Sequence, residues 1–235
     1  FSASEFIICN SLDILSTNDW ERPIGWAITV SPDNYLNLNE YLFNKGMVYE
    51  LMPIKTNIES TYGRGIDVDR MYENLMFKFK YGNVKDKKVY CDENIRRILL
   101  NIRNNFAILS DVLYQMGKKD SAKNIILKSF EEIPDHALPY DFLAVPLAYN
   151  LYRIGDKDKA NEIFETIFEN ACSELDYIES VPKNFYPFMS YEIKTNLYVL
   201  NQLNYIAEEN KIENLKNKIK EKIDSYKNLI YYLEF

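Results

Sequence analysis

The sequence predicts an α+β fold that is mainly α and is divided into two units. Three observations predict it. Short β-rich runs alternate with helical stretches before residue 90, apolar residues recur at helical spacing from residue 92 onward, and two of the later helical stretches align with each other. We therefore expect a small α/β unit at residues 1–90 and a helical unit at residues 91–235.

The first unit is predicted to combine two strands with short helices. The runs 24–30 and 47–54 are rich in β-branched and aromatic residues, which favours strands. The stretches 5–15 and 36–44 have helical periodicity instead. The segment 55–67 contains two glycines and has no apolar periodicity, so we expect a flexible loop there.

Two aspartates mark predicted helix starts. Asp67 comes before a stretch at 70–80 whose apolar residues repeat every four positions, and Asp92 comes before the first long apolar stripe of the second unit. A carboxylate at this position accepts hydrogen bonds from the backbone N–H groups of the first helical turn. We therefore interpret both side chains as helix caps rather than as catalytic acids.

The second unit is predicted to consist of three helical hairpins. In the first two, a turn glycine separates a pair of apolar helices, and Gly117 lies 38 residues before Gly155. A small residue follows each glycine at the same offset, namely Ala122 and Ala160. The predicted hairpins cover 92–134, 141–176 and 186–233.

This pattern resembles the tetratricopeptide repeat, in which small residues let paired helices approach closely. The family's repeat length is about 34 residues, so the loop at 135–140 is interpreted as a short insertion. The resemblance places a candidate binding face on the inner side of each first helix. Tyrosines beside polar groups suit a peptide or a sugar, and they suit packing against the α/β unit equally well. The candidate face comprises Asn104, Asp111, Tyr114, Gln115, Phe142, Tyr149, Tyr152 and Arg153.

Composition and motifs argue against several functions. The net charge is −7 and the basic residues are interleaved with acids, which argues against a nucleic-acid partner. Three distant cysteines and one histidine leave no metal site, catalytic triad or cofactor motif that we can assign. No uncharged apolar stretch reaches the roughly 18 residues that a transmembrane helix needs. We expect no catalytic residue, cofactor, metal or transmembrane segment.

One string carries a more specific resemblance. Residues 18–30, NDWERPIGWAITV, are followed by further matching segments up to about residue 180, among them GMVYELMPI at 46–54. The set looks like the soluble C-terminal region of the membrane-protein family catalogued as domain of unknown function 2723 (DUF2723). That family is found mainly in Bacteroidota and is similar to a eukaryotic protein O-mannosyltransferase. The candidate docking motif within the string is Trp20, Glu21, Arg22 and Pro23.

The resemblance implies a location and a partner. Such proteins carry a membrane domain, where the sugar chemistry is expected, followed by a tail on the periplasmic or other extracytoplasmic face. This chain would be the tail and the membrane domain its partner, with no catalytic residue of its own. The docking motif could contact that membrane domain. Alternatively, Trp20 is a core anchor, Arg22 pairs with a nearby acid and Pro23 starts an edge strand.

Two functions therefore remain open. The first is a non-catalytic extracytoplasmic accessory or scaffold domain of a membrane glycosyltransferase-like protein, which holds acceptor protein or glycan. The second is an independent tetratricopeptide-type adaptor that binds a protein or peptide partner and would be cytoplasmic if free.

Overall fold

The computed structural model describes residues 20–35, 37–56 and 65–233, together with residues 6, 9, 10, 12, 13, 16 and 17. The predicted fold class is confirmed, because a small sheet comes first and helices make up most of the chain. Two compact units are present, Phe1–Tyr81 and Gly82–Phe235. The sequence predicted the boundary between the units near residue 90. The structure assigns 82–90 to the second unit, where Lys85 contacts Glu131 and Glu132.

A four-stranded sheet organises the first unit. Its strands are β1 (Gly25–Ala27), β2 (Leu42–Asn44), β3 (Val48–Leu51) and β4 (Gly65–Ile66). The order in the sheet is β1-β3-β2-β4. The β3 strand is antiparallel to both neighbours, and β2 runs parallel to β4. The two strands predicted at 24–30 and 47–54 are therefore present as the shorter β1 and β3.

The helix predicted at 36–44 is wrong. Turns of 3₁₀ helix occupy Pro32–Tyr35 and Asn39–Tyr41, and the β2 strand follows. Leu42 and Asn44 are buried while Phe43 between them is only half-buried, which is the alternation of a strand. Leu42 forms a buried core with Tyr35 and Leu51.

Two other predictions fall largely on residues outside the described set. In the predicted helix 5–15, the described residues 6, 9, 10, 12 and 13 have helical backbone. In the predicted loop 55–67, residues 57–64 are not described, and Gly65–Ile66 forms a strand rather than a loop. The helix α1 (Val68–Glu73) continues as a π-helical turn, Asn74–Lys78. Its predicted cap is confirmed, because the Asp67 carboxylate accepts a hydrogen bond from Arg70 N at 3.1 Å.

Seven helices make up the described part of the second unit. The Asp92 carboxylate caps the first, accepting a hydrogen bond from Ile95 N at 2.8 Å as predicted. Each first helix of a hairpin packs against its own second helix and against the next first helix, the nearest-neighbour stacking of a helical solenoid. The helices are α2 (Glu93–Gln115), α3 (Lys119–Glu132), α4 (Ala144–Ile154), α5 (Lys157–Ser180), α6 (Ser190–Glu209), α7 (Glu213–Ser225) and α8 (Lys227–Leu233).

The three hairpins turn in the same way. After α2, α4 and α6 the chain passes through a residue with positive φ: Gly117 at 74°, Gly155 at 113° and Lys211 at 58°. In each turn, the N–H group of the following residue donates to the carbonyl five residues before it, at 2.8 to 3.2 Å. This is the Schellman pattern of helix ends. Lys211 therefore marks the turn of the predicted third hairpin, although the sequence has no glycine there to single out the turn residue.

The apolar stripe predicted along α2 is only partly buried. Ile95, Ile98 and Met116 are exposed, although they belong to the predicted stripe. Arg103 is fully buried in their place, and Asn105 is buried as well. An arginine four residues after the buried Leu99 falls on the inward face of the helix, so the burial of Arg103 follows from helical geometry.

Candidate binding face of the helical unit

The turn ends of α2, α4 and α6 carry a cluster of tyrosines and charged groups. The Arg153 guanidinium carbon lies 4.0 Å from the centre of the Tyr114 ring and 5.3 Å from that of Tyr149. The Tyr149 hydroxyl donates to the Glu209 carboxylate at 3.0 Å. Burial and Glu209 both raise the pKa of Tyr149. We call Tyr114, Tyr149, Arg153 and Glu209 the turn-end cluster.

The charged and aromatic side chains of the turn-end cluster already contact one another. The Arg153 cation faces two aromatic rings, which is the arrangement of a cation–π contact. Its Nη1 atom also donates to the Asn150 side chain at 3.4 Å. The cluster therefore joins predicted residues of the first two hairpins to Glu209 of the third, which was not predicted. Its arginine contacts both tyrosine rings.

The other residues of the predicted face are scattered. Asn104 is exposed on α2, and the Gln115 amide donates to Asp111 at 2.6 Å. Tyr152 belongs to the core, where it is only 9% exposed and its ring lies 6.3 Å from that of Phe164. Phe142 lies at the opposite end of the first helices, beside the cleft described below.

Exposed tyrosines of α6, which were not among the predicted face residues, continue this face. Tyr191, Tyr198 and Tyr205 lie seven residues apart and are 70%, 55% and 63% exposed. With Lys211 as the third turn residue, Tyr205 takes the position of Tyr149 in the second hairpin. The seven-residue spacing of these tyrosines could have indicated a common helix face. Without a turn glycine, however, the sequence does not align this helix with the first helices of the other two hairpins.

A buried arginine organises the loop that follows α3. Arg103 donates to three backbone carbonyls, those of Leu138 at 2.7 Å, Pro139 at 2.9 Å and Ile133 at 3.3 Å. Its Nη1 also lies 3.5 Å from the Asp141 carboxylate. Burial lowers the pKa of Arg103, and Asp141 opposes that shift. A guanidinium stays protonated even so, because resonance spreads the positive charge over the whole group and makes it strongly basic.

The same loop forms one wall of a cleft of about 280 Å³. Asp135 fixes the loop, since its Oδ1 accepts from Tyr140 N at 2.8 Å and from the Asn170 amide at 2.7 Å. Helices α5 and α6 form the other walls together with Leu100 of α2. The cleft is lined by Leu100, Pro139, Tyr140, Asp141, Phe142, Asn170, Ala171, Glu174, Tyr191, Glu192, Thr195, Asn196 and Val199.

The cleft is aromatic and acidic. Tyr140, Phe142 and Tyr191 line it together with three carboxylates, and none of the described lining residues is basic. Burial raises the pKa of Asp141, while Arg103 opposes this effect. Glu174 and Glu192 are exposed and have no ion-pair partner among the described residues.

The docking motif of the first unit is divided between core and surface. Trp20 packs against the core of Tyr35, Leu42 and Leu51, while Glu21, Arg22 and Pro23 are exposed. Trp20 has a φ of 63°, which is unusual for a bulky side chain. In the described part of the chain, no ion pair involves Arg22. Trp20 is thus a core residue, which is the alternative to a docking role for its side chain. Glu21, Arg22 and Pro23 remain accessible to a partner.

Residues 6–70 match the family model of TMEM260-associated domain 2. No curated protein and no solved structure matches the chain. The described residues contain no group of three His, Cys, Asp or Glu side chains able to hold a metal ion. None of the described helices is long and apolar enough to cross a membrane.

Proposed function

We propose that this chain is a non-catalytic, extracytoplasmic accessory domain of a membrane glycosyltransferase-like protein, where it holds acceptor protein or glycan. The observation that carries this proposal is the match of residues 6–70 to a domain family associated with a membrane protein. The resemblance of the same residues to the C-terminal region of DUF2723 proteins agrees with it and suggests the periplasmic side.

The surface of the first unit supports a docking role. The family match includes the whole sheet and the exposed residues Glu21, Arg22 and Pro23. Since Trp20 packs on the core, its ring fixes the start of this exposed segment. Anchoring an exposed charged segment at one end suits it to a membrane-domain partner, because it reduces the conformational entropy that binding costs.

The helical unit supports the role of holding an acceptor. Three stacked first helices present tyrosines and polar groups, and α6 leaves three tyrosine rings largely exposed. Exposed aromatic side chains in this number are typical of interaction surfaces rather than of inert ones.

Co-purification tests the docking role. The gene should encode several apolar stretches of about 18 residues or more beside this region. With the membrane part solubilised in detergent, the chain should co-purify with it, and Arg22→Glu should weaken the association. Arg97→Glu is the matched control, because Arg97 is exposed on α2 and pairs only with Glu93 in the described structure. Equal loss in both variants would contradict docking through this motif.

Turnover assays test the non-catalytic part. The purified chain should fold and should show no sugar transfer or hydrolysis. Activity that an Asp or Glu substitution abolishes would contradict the proposal, since the chain would then carry its own chemistry.

An independent tetratricopeptide-type adaptor is the second candidate. The nearest-neighbour stacking of three hairpins favours it. Under this proposal, Tyr114→Ala, Tyr149→Ala or Arg153→Ala weakens partner capture with little change in thermal stability. A large loss of stability would assign the turn-end cluster to packing instead.

A further inference from the structure

We propose that the cleft between α5, α6 and the 139–142 loop binds a cationic side chain, that of a lysine or arginine in a bound peptide. This inference deepens the proposed function, because it names the chemistry of the acceptor that the helical unit would hold. It depends only on the helical unit and not on the membrane partner.

The size of the cleft favours a single side chain. Its volume of about 280 Å³ lies just below the roughly 300 to 1,000 Å³ of pockets that enclose a drug-sized ligand. The 139–142 wall is held in place by Arg103 and Asp135, so the site is formed before any ligand binds. Preformed walls reduce the entropic cost of binding.

The charges of the cleft favour a cation. Asp141 already faces the guanidinium of Arg103, so its charge is largely compensated. Glu174 and Glu192 lack a partner among the described residues, and no basic group lines the cleft there. Two uncompensated carboxylates repel an anionic ligand and attract an ammonium or guanidinium group.

The aromatic rings complete the site. Tyr191 lines the cleft and is 70% exposed, so one face of its ring is available to a ligand. A cation above an aromatic ring is attracted by the negative face of the ring. In the turn-end cluster the corresponding cation is the chain's own Arg153, 4.0 Å from Tyr114. At the cleft, Arg103 is the internal cation of Tyr140, since its guanidinium carbon lies 5.3 Å from the centre of that ring. In the described part of the chain, no cation covers the ring of Tyr191.

An NMR titration of the ¹⁵N-labelled chain tests the inference. The probes are Nα-acetyl-lysine N-methylamide and the same compound acetylated on Nε, which has no charge. We expect saturable shifts of backbone amides lining the cleft with the first probe and none with the second. Added salt should weaken the binding, because both carboxylates are exposed.

Matched variants assign the binding to the two carboxylates. Glu174→Gln/Glu192→Gln should raise the dissociation constant about tenfold, as expected for the loss of two partly exposed charge pairs. Glu162→Gln/Glu208→Gln removes the same charge from the same two helices outside the cleft lining and should change it less than about twofold. Unchanged spectra of the free variants establish that the fold is retained.

Three results would overturn the inference. Equal shifts with the acetylated probe would show that charge is not recognised. Shifts centred on the turn-end cluster would place the ligand elsewhere while leaving a holding role for the helical unit. No shift with either probe would exclude the cleft as a cation site, and the co-purification of the first unit with a membrane domain would be unaffected.

Discussion

The helical unit has aromatic and charged residues at both ends of its first helices, but the two ends differ in what occupies the rings. At the turn end, Arg153 covers Tyr114, and Glu209 accepts the hydrogen bond of Tyr149. At the cleft end, Tyr191 is exposed and Glu174 has no partner among the described residues. The rings of the turn-end cluster therefore contact charged groups of the chain itself, whereas Tyr191 at the cleft end remains available to a ligand.

The largest expected effect comes from removing the residue that builds the cleft wall. Arg103→Met leaves Asp141 and three carbonyls without their buried donor, so we expect a loss of about 3–5 kcal/mol in the free energy of unfolding. Denaturant unfolding measures it. Arg97→Met is the control, because Arg97 is 69% exposed, and should stay within about 0.5 kcal/mol. A small effect at Arg103 would mean that the loop is held by other contacts.

A double-mutant cycle measures the interaction between Tyr114 and Arg153 at the turn end. Tyr114→Leu and Arg153→Met should show a coupling of about 0.5–1 kcal/mol in unfolding free energy, the value expected for a partly exposed cation–π pair. Strict additivity of the two substitutions would show that the ring and the guanidinium do not interact. The two ends would then no longer differ in this respect.

The smallest effect on stability is expected at the cleft end. Tyr191→Ala should change the unfolding free energy by less than about 0.5 kcal/mol, because the ring is 70% exposed. It should weaken binding of the lysine amide several-fold. If the Tyr191→Ala variant lost stability but bound the lysine amide as before, Tyr191 would be a packing residue. The turn end and the cleft end would then no longer differ in the role of their tyrosines.

Much of the fold follows from local sequence signals. The caps Asp67 and Asp92 and the turns at Gly117 and Gly155 were predictable, because each depends on one side chain and its immediate backbone. The β2 strand was not, since residues 39–44 carry apolar groups at spacings that suit either structure. Its pairing with β3 decided the outcome.

The binding face was predictable only in part. Helical spacing brought Tyr114, Tyr149 and Arg153 together, because all three lie in repeats with a glycine turn. Tyr191 lies within the predicted third hairpin, but without a turn glycine no register could be assigned that would place it on the face. The cleft depends on Arg103 reaching the loop more than 30 residues later, a contact that no local pattern indicates.

The most direct test of the account is the position of the bound lysine amide. Intermolecular nuclear Overhauser effects between its ε-methylene protons and the tyrosine rings report that position. We expect contacts with Tyr191 and none with Tyr114, because Arg153 already covers the Tyr114 ring. Contacts with Tyr114 or Tyr149 and none with Tyr191 would contradict it.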